Sequence, residues 1–302
     1  MPHDHAHHVH TPTTGGAFAI GAGINLAYVL IEAGVGLAIH STALLADAGH
    51  NLGDVIGLVG GWIAVWLSTR EPTRRFTYGM RRASVLAALA NAVILLLVTG
   101  AIAAEAGSQL ADPAPTRGLI IMGVALAGIP ANGVAAWVLA AGRQHDLNLR
   151  AAFAHMIADV GLAVGVAVAG LVIAFTGWYR VDPIVSLVIA AIIIAGTWDL
   201  LRQSVSLSLD AVPASIDAEA VAAWLRALPG VDEVHDLHIW ALSTTDTALT
   251  AHLVRDDAAG DSGLLSCVTA ELRERFGIGH ATVQLETRET AHLCGLRPEH
   301  VV

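Results

Sequence analysis

Two stretches of this sequence place a histidine four residues ahead of an aspartate: His50-Asn51-Leu52-Gly53-Asp54 and His155-Met156-Ile157-Ala158-Asp159. On a helix, a four-residue step puts both side chains on one face, one turn apart. Two such helices facing each other present two imidazoles and two carboxylates to one point. That is a tetrahedral donor set for a borderline divalent ion such as zinc. Asp47, about one turn before His50, is a further candidate as an entrance group for the ion, a proton site or a capping residue. With both histidines neutral, the two carboxylates are balanced either by one divalent cation or by two protons. Metal and protons then compete for one set of ligands, which is what an exchanger of one for the other requires.

Both motifs lie inside apolar stretches. The 302 residues are 55% hydrophobic and 14% charged, with a mean hydropathy of +0.62, far above that of a soluble domain. Runs of Ala, Val, Leu, Ile and Gly on the scale of a membrane-crossing helix occur at residues 17–39, 43–67, 84–109, 118–140, 151–175 and 184–201. A soluble enzyme and a fibre are thereby excluded. The chain has no Lys and a formal net charge of −10, which argues against nucleic acid as a partner. An aspartate at the middle of a membrane helix costs on the order of 2.5–3.5 kcal/mol, so Asp54 and Asp159 need something to offset them. Asn25, Glu32, Asn51, Asn91, Glu105 and Asn132 are further polar groups at membrane depth, read as interhelical hydrogen-bonding groups.

Charge in the links sets orientation. Arg70, Arg74, Arg75, Arg81 and Arg82 crowd the second link, and Arg143 and Arg150 flank the fourth, whereas the alternate links carry Arg117 and Arg180. Cytoplasmic links are the Arg-rich ones, so six crossings leave both termini in the cytoplasm. Residues 1–15 have no Arg and no apolar core of a signal peptide. They form instead a tail in which His3, His5, His7, His8 and His10 are either weak metal collectors or plain solvated residues.

Past Leu209 the composition turns polar, which divides the chain into the tail, a membrane domain at 16–208 and a small domain at 209–302. Helix signals at 215–228, capped by Ser215, and at 264–276 alternate with strand patterns at 231–242, 249–255 and 281–286. The order αββαβ suits a three-stranded sheet with helices on one face. Strict alternation puts His235 and Leu237 on the opposite face from Asp236 and His238. His235, His252, His280 and Glu286 are candidate ligands of a regulatory metal at a sheet edge, with His292 and Cys294 as further donors; plainly exposed histidines are the alternative. Cys267 and Cys294 are too few for a disulfide framework, which fits a reducing compartment.

The runs Ser41-Thr42-Ala43-Leu44-Leu45-Ala46-Asp47-Ala48-Gly49-His50, Arg75-Phe76-Thr77-Tyr78-Gly79, Leu86-Ala87-Ala88-Leu89-Ala90-Asn91-Ala92, His155 to Asp159 and Val234-His235-Asp236-Leu237-His238-Ile239-Trp240-Ala241-Leu242 resemble the cation diffusion facilitator family of divalent-metal exporters, in particular its bacterial zinc branch. The resemblance covers nearly the whole chain. It implies a six-helix membrane domain, a metallochaperone-like αββαβ (ferredoxin-like) cytoplasmic domain, a homodimer in the bacterial inner membrane, and export of Zn2+ coupled to protons without ATP. It places His50, Asp54, His155 and Asp159 on the transport site. Arg82 and Asp210 match a charged interlock that holds the dimer near the membrane surface in some relatives, and His235, His252 and Glu286 match cytoplasmic metal ligands. The link at residues 68–82 lacks the Asp/His site of some relatives, and no metal is expected there.

Export of cobalt, nickel, cadmium, iron or manganese is the nearest alternative, and a membrane-anchored metal sensor is the next. A metalloenzyme is disfavoured because no His-Glu-x-x-His occurs, and with no Lys there is no phosphate-binding Gly-x-x-x-x-Gly-Lys loop for ATP. No organic cofactor is expected, and zinc figures as transported substrate and as possible regulatory ligand.

Overall fold

A computed structural model describes residues 15–140, 147–256 and 262–296. The histidines at 3, 5, 7, 8 and 10 lie outside the described residues. Six long helices come first: α1 (Gly15–Ile39), α2 (Thr42–Ser68), α3 (Ala83–Ala111), α4 (Gly118–Ala140), α5 (Leu147–Thr176) and α6 (Val181–Ser208). Each reaches the roughly 20 residues that a bilayer crossing needs. Among the described residues, α2, α3, α6 and the stretch Ala154–Thr176 of α5 are long and apolar enough to span, while α1 and α4 contribute the shorter apolar stretches Leu26–Ile39 and Gly118–Pro130. Among the described residues the spanning segments of the membrane part are helices, as the apolar runs imply.

The chain divides into two compact units, residues 1–56 with 94–197 and residues 57–93 with 198–302. The first is held by a core of small and branched residues, including Leu44, Ile121, Ala125, Val166, Ile173 and Ile189. In lipid no hydrophobic drive separates such side chains from the solvent, so close backbone approach must supply the packing. Gly118 and Gly170 show how close it is. A Cβ on Gly118 would come within 2.4 Å of the Gly170 carbonyl oxygen, and one on Gly170 within 2.6 Å of the Gly118 oxygen. Backbone, not side chain, is what each glycine meets. Gly170→Leu is therefore expected to prise α4 from α5 and destabilise the protein by more than the ~1–3 kcal/mol of ordinary overpacking, read as a lowered melting temperature in detergent.

The second unit contains α7 (Ala218–Arg226), β1 (Glu233–Ala241), β2 (Thr247–Val254), α8 (Ser262–Phe276), β3 (Ile278–Glu286) and the short α9 (Arg288–Leu293). The sheet order is β1-β2-β3, antiparallel between β1 and β2 and parallel between β2 and β3. A parallel neighbour requires a crossover, and α8 is that crossover. Val221, Leu225, Val268 and Leu272 of α7 and α8 bury Ile239, Leu249, Ala251 and Leu253 of the sheet. Two details differ from expectation. Asp217, not Ser215, caps α7: its backbone is extended and its carboxylate accepts from the Ala220 N–H. That is the geometry by which a short acidic side chain satisfies an orphan donor. The strand alternation is also broken. The register of β1 against β2 slips between His235 and His238, and Asp236 sits at φ +50. A bulge adds one residue to one strand, so residues on either side of it exchange faces. His235 pairs with His252 and His238 with Thr250, and both histidines therefore share one face.

Candidate metal centre

The first unit brings His50, Asp54, His155 and Asp159 together. One ligand atom from each lies within 4.8 Å of all the others. His50 Nε2 is 3.1 Å from Asp159 and 3.9 Å from Asp54, while His155 Nε2 is 3.2 Å from Asp54 and 3.7 Å from Asp159. Each imidazole thus faces one carboxylate on its own helix and one on the other. Zinc with ligands at ~2.0–2.1 Å in a tetrahedron has ligand atoms about 3.3 Å apart. The observed separations bracket that edge. The imidazole rings meet edge to face, with centroids 5.8 Å apart, and His50 Nδ1 is buried without a partner.

Why these four meet follows from the helices. The step of four in each motif aligns its pair on one face of α2 or α5. Gly53 lies under Leu95 of α3, where a Cβ would come within 2.7 Å of the Leu95 Cδ1 methyl. Asp159 is 3% exposed and Asp54 27% exposed, so one carboxylate is enclosed and the other partly open. Asp47 is also buried, beside Glu32 rather than within the group of four. Glu32 accepts from the Tyr28 hydroxyl one turn away on α1, and Tyr28 also reaches the Val124 carbonyl of α4. Glu105 accepts from Gln109 of its own helix, an intrahelical bond where an interhelical one was expected.

A second cluster forms on the sheet. His252 opposes His235 on β1 and Gln284 on β3, and Glu286 follows two residues along the same face. Glu286 lies 3.0 Å from His252 Nδ1 and 3.4 Å from His235 Nε2, and Cys294 Sγ is 3.7 Å from His252 Nδ1. The four ligand atoms of His235, His252, Glu286 and Cys294 again fall within 4.8 Å of one another. His235 and Glu286 are almost fully buried, yet both ring nitrogens of His235 and one Glu286 oxygen lack hydrogen-bond partners. Orphaned buried atoms of this kind need a partner, and a cation would satisfy them together.

His280 is not brought to this cluster. It opposes Ala248, six residues before Glu286, or about 20 Å along an extended strand. Its ring stacks edge-on against Tyr78, at 5.4 Å. Cys294 takes the fourth place instead, carried there by α9. A capping box at Thr287 starts that helix, and Arg288 ties it to Asp232 and Asp256. The Asp232 carboxylate holds the Arg288 guanidinium above its usual pKa. Asp236 is a residue that alternation misplaces: the bulge turns it to within 3.5 Å of His252 Nε2 and 2.8 Å of His238 Nε2. Arg82 and Asp210 form an ion pair within the second unit, as do Arg81 and Asp246.

Comparison with known proteins decides the family. Residues 18–207 match the model of the cation efflux transmembrane domain, and residues 213–288 that of the cytoplasmic domain of cation efflux proteins. The chain belongs to the cation efflux family. It is 35% identical to the zinc transporter ZitB of Escherichia coli (strain K12) over 291 residues, which cover 95% of this chain and 93% of that protein. It is 32% identical to the cadmium, cobalt and zinc/H(+)-K(+) antiporter of Bacillus subtilis (strain 168), over 88% of this chain and 86% of the relative. A metal-bound C-terminal domain of the CzcD transporter from Cupriavidus metallidurans is 38% identical over 24% of this chain and 99% of that domain, with a TM-score of 0.22. The family is one of zinc and divalent-cation efflux transporters, and the multi-helix part of this chain matches its transmembrane domain.

Proposed function

We propose that this protein exports Zn2+ from the cytoplasm in exchange for protons, by alternating access of one site built from His50, Asp54, His155 and Asp159. The observation that carries this reading is the convergence of two imidazoles and two carboxylates from α2 and α5 within 4.8 Å. Two His and two Asp suit zinc better than hard cations, which prefer all-oxygen sites. The relatives' names support both halves, zinc in one and a proton antiport in the other. The same names keep cadmium and cobalt as the second reading, since imidazole and carboxylate also accept those ions.

In this mechanism the protein holds charge constant as it turns. Zinc enters from the cytoplasm, balances the two carboxylates and crosses in a neutral site. Protons replace it outside and cross back. The Arg-rich links place both termini in the cytoplasm, where the sheet cluster of His235, His252, Glu286 and Cys294 samples free metal and regulates a homodimer held in the bacterial inner membrane. The test is zinc flux into sealed vesicles containing the purified protein, with and without an imposed pH gradient. Gradient-driven uptake is expected, and absence of flux with zinc, cadmium and cobalt alike would leave only the sensor.

The cytoplasmic site has its own check. His252→Ala is expected to lower the zinc bound by the purified protein from about two ions per chain to about one, because it removes the ligand that touches both Glu286 and Cys294. An unchanged count, measured by metal analysis after dialysis, would take the sheet cluster out of the mechanism.

A further inference from the structure

Asp182 is fully buried in the first turn of α6, and among the described residues neither Arg nor His pairs with it. A carboxylate in that setting survives only if donors surround it. The donors all come from the start of α2. The Ser41 hydroxyl donates to Asp182 at 2.5 Å, the Thr42 N–H at 2.7 Å, the Thr42 hydroxyl at 3.0 Å and the Ala43 N–H at 3.4 Å. Ser41 and Thr42 are themselves fully buried.

The first four N–H groups of any helix lack intrahelical acceptors. In α2 the N-cap Ser41 N–H donates to the Gly36 carbonyl and the Leu44 N–H to the Ser41 hydroxyl oxygen. The remaining two, on Thr42 and Ala43, have their partner in Asp182, more than 130 residues later in the chain. The start and direction of α2 are thus fixed by α6 together with its own Ser41 cap. A carboxylate placed between the positive ends of two helices is also where helix dipoles favour it most.

We propose that Asp182 is a positioning residue for the metal site, holding α2 at the tilt that aims His50 and Asp54 at His155 and Asp159. The lever arm shows why a distant contact matters. His50 is eight residues beyond Thr42, about 12 Å at a rise of 1.5 Å per residue, and 18 residues, about 27 Å, from the far end of α2. A tilt of about 2° about that far end moves His50 by roughly 1 Å, twice the tolerance of about 0.5 Å within which a working constellation must be held. Without Asp182, two buried N–H groups are left unpaired and the start of α2 must shift to find water or another acceptor.

The proposal rests on the export reading, and zinc flux in vesicles separates the two. A purely structural role leaves fewer active molecules, which lowers the maximal rate at unchanged KM. Mispositioned ligands raise KM for zinc in every molecule that remains folded. Asp182→Ala is expected to raise KM at least 10-fold, and Asp182→Asn, which keeps one oxygen to accept from Thr42, to recover at least half of that change on a logarithmic scale. Should Asp182→Ala fail to fold, Asp182→Asn and the double variant Ser41→Ala/Thr42→Val carry the test, with an expected KM increase of about 3-fold or more. KM within 2-fold of the parent in all folded variants overturns the proposal. If the parent itself shows no flux, the export reading falls, and the same variants are compared by zinc calorimetry in a His252→Ala background. There a loss of affinity supports the positioning role and unchanged affinity overturns it.

Discussion

Asp54→Ala and Asp159→Ala are each expected to reduce pH-gradient-driven zinc flux into vesicles by at least about 100-fold, with the protein still folded and inserted. Either substitution removes one of four ligands and leaves a divalent cation facing a single carboxylate. The bound state then carries a net positive charge into a low-dielectric interior, where the charge is far more costly than in water. The loss is therefore larger than that of one ligand bond. Asp159, 3% exposed against 27% for Asp54, is expected to be the less forgiving, because fewer groups from outside the site can take the place of its lost ligand. The flux assay is run beside zinc binding to the purified variants. Equal flux in the parent and both variants would move the transport site elsewhere.

What the sequence disclosed follows from the range over which its signals act. The His50–Asp54 and His155–Asp159 pairs were legible because a helical step of four is local, and apolar runs of this length leave little choice but helices. That the two pairs meet is an inference from chemistry, and the structure sets His50 3.1 Å from Asp159 and His155 3.2 Å from Asp54. On the sheet, period-two reasoning failed at one residue. Asp tolerates the left-handed region better than most side chains, and at Asp236 the chain uses that freedom to insert a bulge. Every face assignment on either side of the bulge then changes relative to the other. His280 was misplaced for a different reason. Distance along a strand, which no composition reveals, separates it from Glu286. Asp182 carries no local signal either, since its partners are the backbone and hydroxyl groups of a helix start on another part of the chain.

Zinc affinity at the transport site is expected to fall steeply as pH drops, with the logarithm of Kd changing by up to two units per pH unit where both histidine rings are protonated and flattening where both are neutral. A histidine coordinates metal through a lone pair that protonation removes. His50 and His155 each use Nε2 toward the shared point. At acidic pH zinc must therefore displace one proton from each ring, so two protons leave per ion bound. The sign matches the proposed direction of transport: a more acidic exterior weakens zinc binding where the ion must be released, while the more alkaline cytoplasm strengthens it where the ion must be captured. Calorimetry in buffers of different ionisation enthalpy counts the released protons directly, best in a His252→Ala background so that the sheet cluster does not contribute. About two protons per zinc at a pH where both rings are protonated would tie metal and proton to one site. A count of zero would mean that protons cross by another route, and the coupling would then have to come from a conformational link between separate sites.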